Sequence, residues 1–168
     1  RVRRQRQMCI RDSIKGCGSM IINIAHTKGG VGKSTLATNL AVEMNCPILD
    51  LDMQKSSYFF NELRELPKLT IFKAKTRDEL KLLEPYAGDK KKHIIVDSGG
   101  MDNDLNRLSL VYADLILTPI STSQIELFGL ENFRLILKEL DAENKDYIIL
   151  NSINLRSKQE LQAFNDIL

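Results

Sequence analysis

The sequence predicts an α/β fold with a doubly wound, mostly parallel sheet and helices on both of its faces. Short apolar runs alternate along the chain with longer amphipathic stretches, which is the order that right-handed strand–helix–strand crossovers produce. Two of these runs, 94–96 and 148–150, are apolar without interruption, as is typical of strands buried on both faces of a parallel sheet. The length of 168 residues fits a single domain of ordinary size.

The pattern divides into six strands, separated by helices whose apolar residues recur every three or four positions. The predicted strands are 21–25, 47–51, 69–72, 93–96, 115–118 and 147–150. The predicted helices are 34–44, 57–66, 77–83, 102–112, 126–140 and 157–167. The fifth helix has the clearest pattern, because Leu127, Leu130, Phe133, Leu137 and Leu140 fall near one face.

The first 19 residues differ from the rest of the chain in composition. They carry six basic residues against one acid and have no helix or strand periodicity, whereas residues 20–168 carry 18 bases and 21 acids. We interpret 1–19 as a non-native or disordered extension, with Met20 as the expected start; a genuine basic arm is the alternative. We expect 20–168 to be one domain that is truncated at its C-terminus, because a helical pattern is still running at Leu168.

Cysteine usage excludes one class of function. Cys9 and Cys17 lie in the N-terminal extension, so Cys46 is the only cysteine of residues 20–168. One thiol can form neither an intrachain disulfide nor an iron–sulfur cluster, which argues against a cluster-bearing reductase. A reducing cytoplasm is the expected location.

The segment KGGVGKST, at residues 28–35, lies between a predicted strand and a predicted amphipathic helix, as a phosphate-binding loop requires. Its glycines allow backbone N–H groups to turn toward phosphates, and the following helix adds the positive end of its dipole. Lys33 is expected to neutralise the β- and γ-phosphates, Ser34 to ligate Mg²⁺, and Thr35 to lie beside the α- and β-phosphates. A glycine-rich turn with two surface lysines is the alternative. The predicted ATP- or ADP-binding residues of the loop are Lys28, Gly29, Gly30, Val31, Gly32, Lys33, Ser34 and Thr35.

Carboxylates follow two of the predicted strands. Asp50 and Asp52 end the second strand, and Asp97 follows the fourth. The carboxyl ends of parallel strands border the crevice in which folds of this kind bind ligands. We expect Asp97 to hold Mg²⁺ through water and Asp50 to support the metal or the loop. Helix capping by the first pair, and a simple turn after Asp97, are the alternatives.

These motifs together resemble the ParA/MinD class of ATPases, which carries a deviant Walker A phosphate loop. The resemblance is strongest over 21–54 and 93–130, and length and spacing are most similar to small ParA-type plasmid partition ATPases. It implies a P-loop NTPase fold and a homodimer formed on ATP binding, in which Lys28 reaches the partner's ATP. It also implies that Lys28, Lys33 and Asp52 are catalytic, with Asp52 positioning the attacking water.

Two positions depart from the family pattern or leave it open. Met53 replaces the proline of the family's Asp-x-Asp-Pro-Gln stretch, although both carboxylates and Gln54 remain. Asn151 follows the last predicted strand, where related proteins contact adenine; a helix cap or a turn is an equally open interpretation. No glutamate follows Asp97, and this predicts slow hydrolysis.

The function that the resemblance implies is slow, partner-stimulated ATP hydrolysis in plasmid or chromosome segregation. The expected partners are a ParB-type adaptor and non-specific DNA, so the protein is expected to be cytoplasmic and nucleoid-associated. A MinD-like ATPase that positions the division site and binds membrane through an amphipathic helix is the alternative. A nucleotide-binding scaffold without turnover is a further alternative.

Overall fold

The computed structural model describes residues 20–65, 67–87, 92–121 and 124–152, together with the isolated positions 157 and 162. The strands are β1 Ile21–Ile24, β2 Ile48–Asp50, β3 Ile71–Lys73, β4 Ile94–Asp97, β5 Leu115–Ile120 and β6 Asp146–Leu150. The α-helices are α1 Lys33–Met44, α2 Ser56–Leu63, α3 Asp104–Tyr112 and α4 Gln124–Glu139. Two 3₁₀ helices occupy Asp78–Tyr86 and Glu143–Lys145.

The six described strands form one sheet in the order β3-β2-β4-β1-β5-β6, and each neighbouring pair is parallel. β1 therefore lies inside the sheet, between β4 and β5. The register pairs Ile24 with Asp97 and Asp50 with Asp97, so the two aspartates lie side by side at the carboxyl edge. The chain leaves β1 at the same edge, which places the start of the 28–35 loop beside these carboxylates.

Helices cover both faces of the sheet, which confirms the predicted doubly wound architecture. Alternate strand residues on one face pack with α3 and with Leu80 and Leu83 of the first 3₁₀ helix. Residues on the opposite face pack under α1, where Ala37 and Ala41 are fully buried. The small alanine side chains allow the helix to approach the strands closely, so the loop that precedes α1 is fixed against a rigid base.

The predicted helix over 77–83 was wrong in type and extent, because the segment is a 3₁₀ helix that runs from Asp78 to Tyr86. Leu80 and Leu83 are both buried, and a three-residue period aligns positions three apart on one face. Pro85 lacks the N–H group that an α-helix would need inside its last turn.

Several predicted boundaries also shift by a few residues. α3 begins at Asp104 because the Asn103 side chain caps it, accepting a hydrogen bond from the Asn106 N–H at 2.8 Å. The helix predicted over 157–167 lies outside the described residues, apart from positions 157 and 162. None of the described helices has the length and apolar character that crossing a membrane requires.

Candidate nucleotide-binding site

The phosphate loop joins β1 to α1 and turns through two glycines with left-handed backbone. Gly30 has φ 81° and Gly32 has φ 96°, which side-chain-bearing residues rarely adopt. Gly32 is also the residue that precedes the first turn of α1, and its carbonyl accepts the first helical hydrogen bond from Leu36 at 2.9 Å. The loop therefore leads directly into a helix N-terminus, whose N–H groups and dipole favour an anion.

Lys33 extends from this helix start into the loop. Its side chain is buried, and its ammonium Nζ donates to the backbone carbonyl of Lys28 at 2.7 Å. Burial lowers the pKa of Lys33, while the negative charges of Asp97 and Asp52 act to raise it. An ammonium group held among carboxylates at the base of the loop is well placed to bind the terminal phosphates of a nucleotide.

A cleft of about 560 Å³ opens in front of the loop. Its walls are the loop glycines, the residues after β2 and the residues after β4, including Asp52, Gln54 and Gly100. This volume is within the range that small-molecule sites usually occupy. The cleft also lies at the carboxyl edge of the sheet, where doubly wound folds bind their ligands.

Asp97 lies beneath the cleft and is completely buried. Its Oδ2 accepts a hydrogen bond from the Ser57 hydroxyl at 2.5 Å, and its Oδ1 has no partner at hydrogen-bonding distance among the described residues. Burial raises the pKa of Asp97 to about 6, while the nearby hydroxyls of Ser57 and Ser34 lower it and the charges of Asp50 and Asp52 raise it.

Asp50 provides a second buried carboxylate beside Asp97. Its Oδ1 accepts from the Asp52 backbone N–H at 2.9 Å, and its Oδ2 makes no hydrogen bond within the described structure. Burial is the main reason that the pKa of Asp50 is raised. Two unpartnered oxygens on neighbouring carboxylates, with the Ser34 hydroxyl close to Asp97, fit the oxygen ligands that Mg²⁺ prefers, in a site that would also use nucleotide phosphates. Asp50, Asp97 and Ser34 would hold the metal.

Asp52 lies on the wall of the cleft, in a turn that two hydrogen bonds close. Its Oδ1 accepts from the Gln54 N–H at 3.0 Å, and its carbonyl accepts from the Lys55 N–H at 3.1 Å. Lys55 has φ 55°, so this turn reaches α2 through a strained left-handed residue. Asp52 is therefore placed at the cleft while Asp50 and Asp97 lie below it.

The loop after β4 touches the phosphate loop. A Cβ added at Gly100 would lie 3.4 Å from the Gly29 nitrogen and 3.5 Å from the Lys33 ammonium nitrogen. Asn106 of α3 holds this loop, because its amide donates to the carbonyl of Met101 at 2.6 Å and more weakly to that of Gly99 at 3.4 Å. Gly100 therefore lies close to both the phosphate-loop backbone and the Lys33 ammonium group.

A buried polar network continues from this loop into the centre of the sheet. Asn23, in the middle of β1, accepts from Ser98 at 2.7 Å and donates to Ser109 at 2.9 Å. Ser109 in turn donates to the carbonyl of Asn106 at 2.7 Å. The network ties β1, the loop after β4 and α3 together directly behind the cleft.

The start of the phosphate loop packs against α4. A Cβ added at Gly129 would lie 3.0 Å from the His26 ring and 3.6 Å from Lys28 Cβ, so only a glycine fits without displacement. The His26 ring stacks on Phe133 at a centroid distance of 5.9 Å, and its Nδ1 accepts from the Lys28 N–H at 3.0 Å. His26 therefore supports the backbone from which the Lys28 side chain departs.

Asn151 does not line the cleft in front of the phosphate loop and lies against the loop itself. Its side-chain amide donates to the Val31 carbonyl at 2.8 Å, and its backbone N–H donates to Ile120 at 2.7 Å. A Cβ added at Gly32 would lie 2.1 Å from the Asn151 amide nitrogen. In this structure the amide supports the loop; an adenine contact stays a prediction.

The structure brings most of the predicted residues together around one cleft: Gly29, Gly30, Gly32, Lys33, Ser34, Thr35 and Asp52 line it, with Asp50 and Asp97 below. Sequence reasoning missed Ser57, Asn106 and Gly129. The sequence offered one signal for Ser57 and Asn106, which lie on the inner faces of short amphipathic helices. Buried polar side chains are normally hydrogen-bonded, so polar residues at such positions indicate buried polar partners.

A glycine-rich loop between a central parallel strand and a helix, with a buried lysine and carboxylates at the adjacent strand ends, defines a P-loop nucleotide-binding domain. Residues 22–168 match the family described as the CobQ/CobB/MinD/ParA nucleotide binding domain. The chain belongs to this family, as the resemblance of its motifs predicted. No curated protein matches the sequence significantly.

Solved structures share the fold at low sequence identity. A putative plasmid partition protein from Borrelia burgdorferi bound to AMPPNP has a TM-score of 0.68 and 20% identity, covering 89% of this chain and 82% of its own. MinD from Aquifex aeolicus, in a complex with MinC, has a TM-score of 0.71 and 17% identity, covering 89% and 77%. A McdA variant from Cyanothece in an ATP complex has a TM-score of 0.67 and 18% identity, covering 90% and 78%.

Proposed function

We propose that this chain binds ATP with Mg²⁺ on residues 28–35 and hydrolyses it slowly as a ParA-type partition ATPase. The observation that carries the proposal is the arrangement of Lys33, whose buried ammonium lies at the base of the loop and feels the charges of Asp52 and Asp97. Burying an ammonium group costs free energy, because the group loses its hydration and gains no full ion-pair partner in return. A bound triphosphate would supply the missing negative charge, so this position favours phosphate binding over a purely structural role.

The residues divide the chemistry among themselves. The loop amides and Lys33 bind the phosphates and stabilise charge that develops on the γ-phosphoryl group. Asp52, on the cleft wall, orients the attacking water, and Mg²⁺ held by Ser34, Asp50 and Asp97 would neutralise the phosphate oxygens. Since a lone aspartate in a hydrogen-bonded turn is a weak base, turnover is expected to be slow until a partner stimulates it.

The position of Lys28 suggests a role between two chains, which is the second part of the proposal. It leaves the loop on the side that faces α4, where His26 and Gly129 fix its backbone, and it is only partly buried. We infer that two chains associate face to face on ATP and that Lys28 of each then approaches the nucleotide of the other. A second cation near the γ-phosphate would act as an arginine finger does.

For the cellular role, we favour segregation of a plasmid or chromosome in the cytoplasm, on nucleoid DNA and with a ParB-type adaptor. A MinD-like positioning role on membrane is the second candidate, because the matching family includes both kinds of protein. The two roles differ in the surface that the ATP-bound dimer uses: DNA phosphates for the first and anionic lipid for the second.

The test begins with purified chain, Mg²⁺ and ATP. Light scattering after gel filtration should give a dimer for the Asp52→Ala variant with ATP, a monomer with ADP, and a monomer for Asp52→Ala/Lys28→Ala with ATP. Phosphate release should be detectable for the wild type and lost in Asp52→Ala. A turnover unchanged in Asp52→Ala would contradict the catalytic assignment, and an ATP-dependent dimer that persists without Lys28 would contradict the paired arrangement.

Pelleting assays distinguish the two cellular roles. The same protein is centrifuged with plasmid DNA or with vesicles of anionic phospholipid, in ATP and in ADP, at two salt concentrations. Retention on DNA that requires ATP and weakens with salt supports segregation. Retention on vesicles alone would favour the positioning role.

A further inference from the structure

Ser57 makes a contact that neither the sequence motifs nor the proposed function assign. It lies in the first turn of α2 and is completely buried. Its hydroxyl Oγ donates to Asp97 Oδ2 at 2.5 Å, across 40 residues of sequence. A hydroxyl at this distance from a carboxylate forms a short, strong hydrogen bond.

This hydrogen bond makes the two carboxylate oxygens of Asp97 different. Oδ2 is used by Ser57, and Oδ1 stays without a partner among the described residues although Asp97 is completely buried. The terminal torsion of an aspartate is broad, so the side chain alone does not determine which oxygen faces the metal site. Ser57 supplies that orientation from outside the strand.

Ser57 is also connected to the turn that carries Asp52. The Lys55 N–H donates to the Asp52 carbonyl at 3.1 Å, and the Phe59 N–H donates to the Lys55 carbonyl at 3.1 Å, which begins the helix. Only residues 53–56, which form the turn and the start of α2, therefore separate Asp52 on the cleft wall from the serine that holds Asp97. A movement of the turn that carries Asp52 would therefore displace Ser57, and a movement of Ser57 would displace that turn.

We propose that Ser57 is a positioning residue of the magnesium site, orienting Asp97 so that Oδ1 is available to a metal-bound water and joining that carboxylate to the Asp52 turn. The inference rests on the proposed nucleotide-binding function. It adds a residue that touches neither nucleotide nor metal, and its effect is exerted through Asp97. Hydrogen-bonding partners of metal-site carboxylates usually contribute 10- to 100-fold to metal affinity.

The chain provides a matched control at the other side of the sheet. The buried Thr118 hydroxyl donates to Asp146 Oδ1 at 2.5 Å, between β5 and β6. Both pairs consist of a hydroxyl that donates to a carboxylate; Asp97 is buried and Asp146 is half-buried. Thr118 and Asp146 are not among the residues that line the cleft. Thr118→Val removes the hydroxyl that binds Asp146, and Ser57→Ala removes the hydroxyl that binds Asp97. Comparing the two variants separates the general effect of losing a buried hydrogen bond from the specific effect of losing the bond to Asp97.

The experiment measures ADP binding by calorimetry in EDTA, and then Mg²⁺ binding to the chain saturated with ADP. Ser57→Ala should weaken Mg²⁺ binding about 10- to 100-fold while ADP binding in EDTA stays within about twofold of wild type. Ser57→Thr, which keeps the hydroxyl, should recover most of the Mg²⁺ affinity, and Thr118→Val should leave both constants unchanged. Thermal unfolding of each variant confirms that it is folded before titration.

The outcomes separate this inference from the function on which it rests. If Ser57→Ala binds Mg²⁺ as tightly as the folded wild type, or if Thr118→Val weakens it equally, the positioning role is wrong and the proposed function stands. If the wild type itself shows no Mg²⁺ binding in the presence of ADP, the magnesium site and the inference both fail. If Ser57→Ala does not fold, the result for Ser57→Thr against Ser57→Cys decides, because cysteine occupies the position with a much weaker donor.

Discussion

The ammonium nitrogen of Lys33 lies 2.7 Å from the backbone carbonyl oxygen of Lys28, so the two loop lysines meet through main chain and not through their side chains. The position of Lys33 therefore does not depend on what side chain residue 28 carries. Under the proposed function this separates two roles: Lys33 would bind the nucleotide of its own chain, and the Lys28 side chain would be left for another contact.

Lys33→Ala should weaken ADP affinity about 100-fold, because it removes a charge-assisted contact to phosphate worth about 3 kcal/mol. Lys28→Ala should leave ADP affinity of the single chain within about threefold, because its carbonyl is retained. Fluorescence titration with a labelled ADP measures both constants. Equal losses in the two variants would contradict the separation of roles.

Gly32→Ala should lower stability and abolish nucleotide binding. The residue has φ 96°, and its new Cβ would lie 2.1 Å from the Asn151 amide nitrogen. We expect a cost of roughly 2–4 kcal/mol from backbone strain and overpacking, measured by urea unfolding. Gly29→Ala is the matched control, because no atom lies within 4 Å of a Cβ added there; its stability should change by less than about 1 kcal/mol.

A double variant separates the two causes of the expected destabilisation, which are the unfavourable φ of residue 32 and the clash of its new Cβ with Asn151. Gly32→Ala/Asn151→Ala removes the clash but keeps the unfavourable φ, so it should recover part of the lost stability and not all of it. Full recovery would show that the left-handed backbone contributes nothing. No recovery would show that Asn151 does not press on Gly32 in solution.

Asn151→Ala should weaken ATP and GTP binding by the same factor, about 5- to 10-fold, because its amide donates to the Val31 carbonyl at 2.8 Å and does not line the cleft in front of the loop. Competition titrations with the two nucleotides give the ratio of affinities. A loss confined to ATP, with GTP binding unchanged, would instead establish the adenine contact that the family resemblance implies.

Burial of Asp97 makes the stability of the nucleotide-free chain depend on pH. Burial raises the pKa of this carboxyl from 3.8 to about 6, so the folded state binds the proton more tightly than the unfolded state does. The stabilising contribution is therefore complete below pH 3.8 and is lost as pH rises through 6. Asp97→Asn should remove this dependence, gaining roughly 1–3 kcal/mol over wild type between pH 5 and 7. Urea unfolding at both pH values tests this, and an equal decline with pH in both proteins would contradict it.

The sequence was sufficient for the parts of the fold that local patterns encode. The runs 94–96 and 148–150 lie within β4 and β6 as predicted. Burial on both faces is confirmed for β4 only, because β6 is the outer strand of the described sheet and its residues are half-buried or exposed. Helix α1 was predicted to within one residue, since the glycines before it and the spacing of Leu36 and Leu40 are local features. The aspartates at the ends of β2 and β4 followed from the rule for carboxyl edges of parallel sheets.

Contacts between distant segments could not be predicted in the same way. Ser57 finds Asp97 only because β2 and β4 are neighbours in the sheet, and nothing in the local sequence states that order. Gly129 likewise approaches His26 across about a hundred residues. The 3₁₀ helix at Asp78–Tyr86 was mistaken for a regular helix, because Leu80 and Leu83 satisfy both periods over so short a segment.

Whether the purified chain binds adenine nucleotide, and binds it more tightly with Mg²⁺, decides whether residues 28–35 form a nucleotide site. Calorimetric titration with ADP should give one site per chain, tighter with Mg²⁺ than with EDTA, and about 100-fold weaker for Lys33→Ala under the same conditions. A folded wild-type chain that binds no ADP with Mg²⁺, or a Lys33→Ala variant that binds it equally well, would contradict the account.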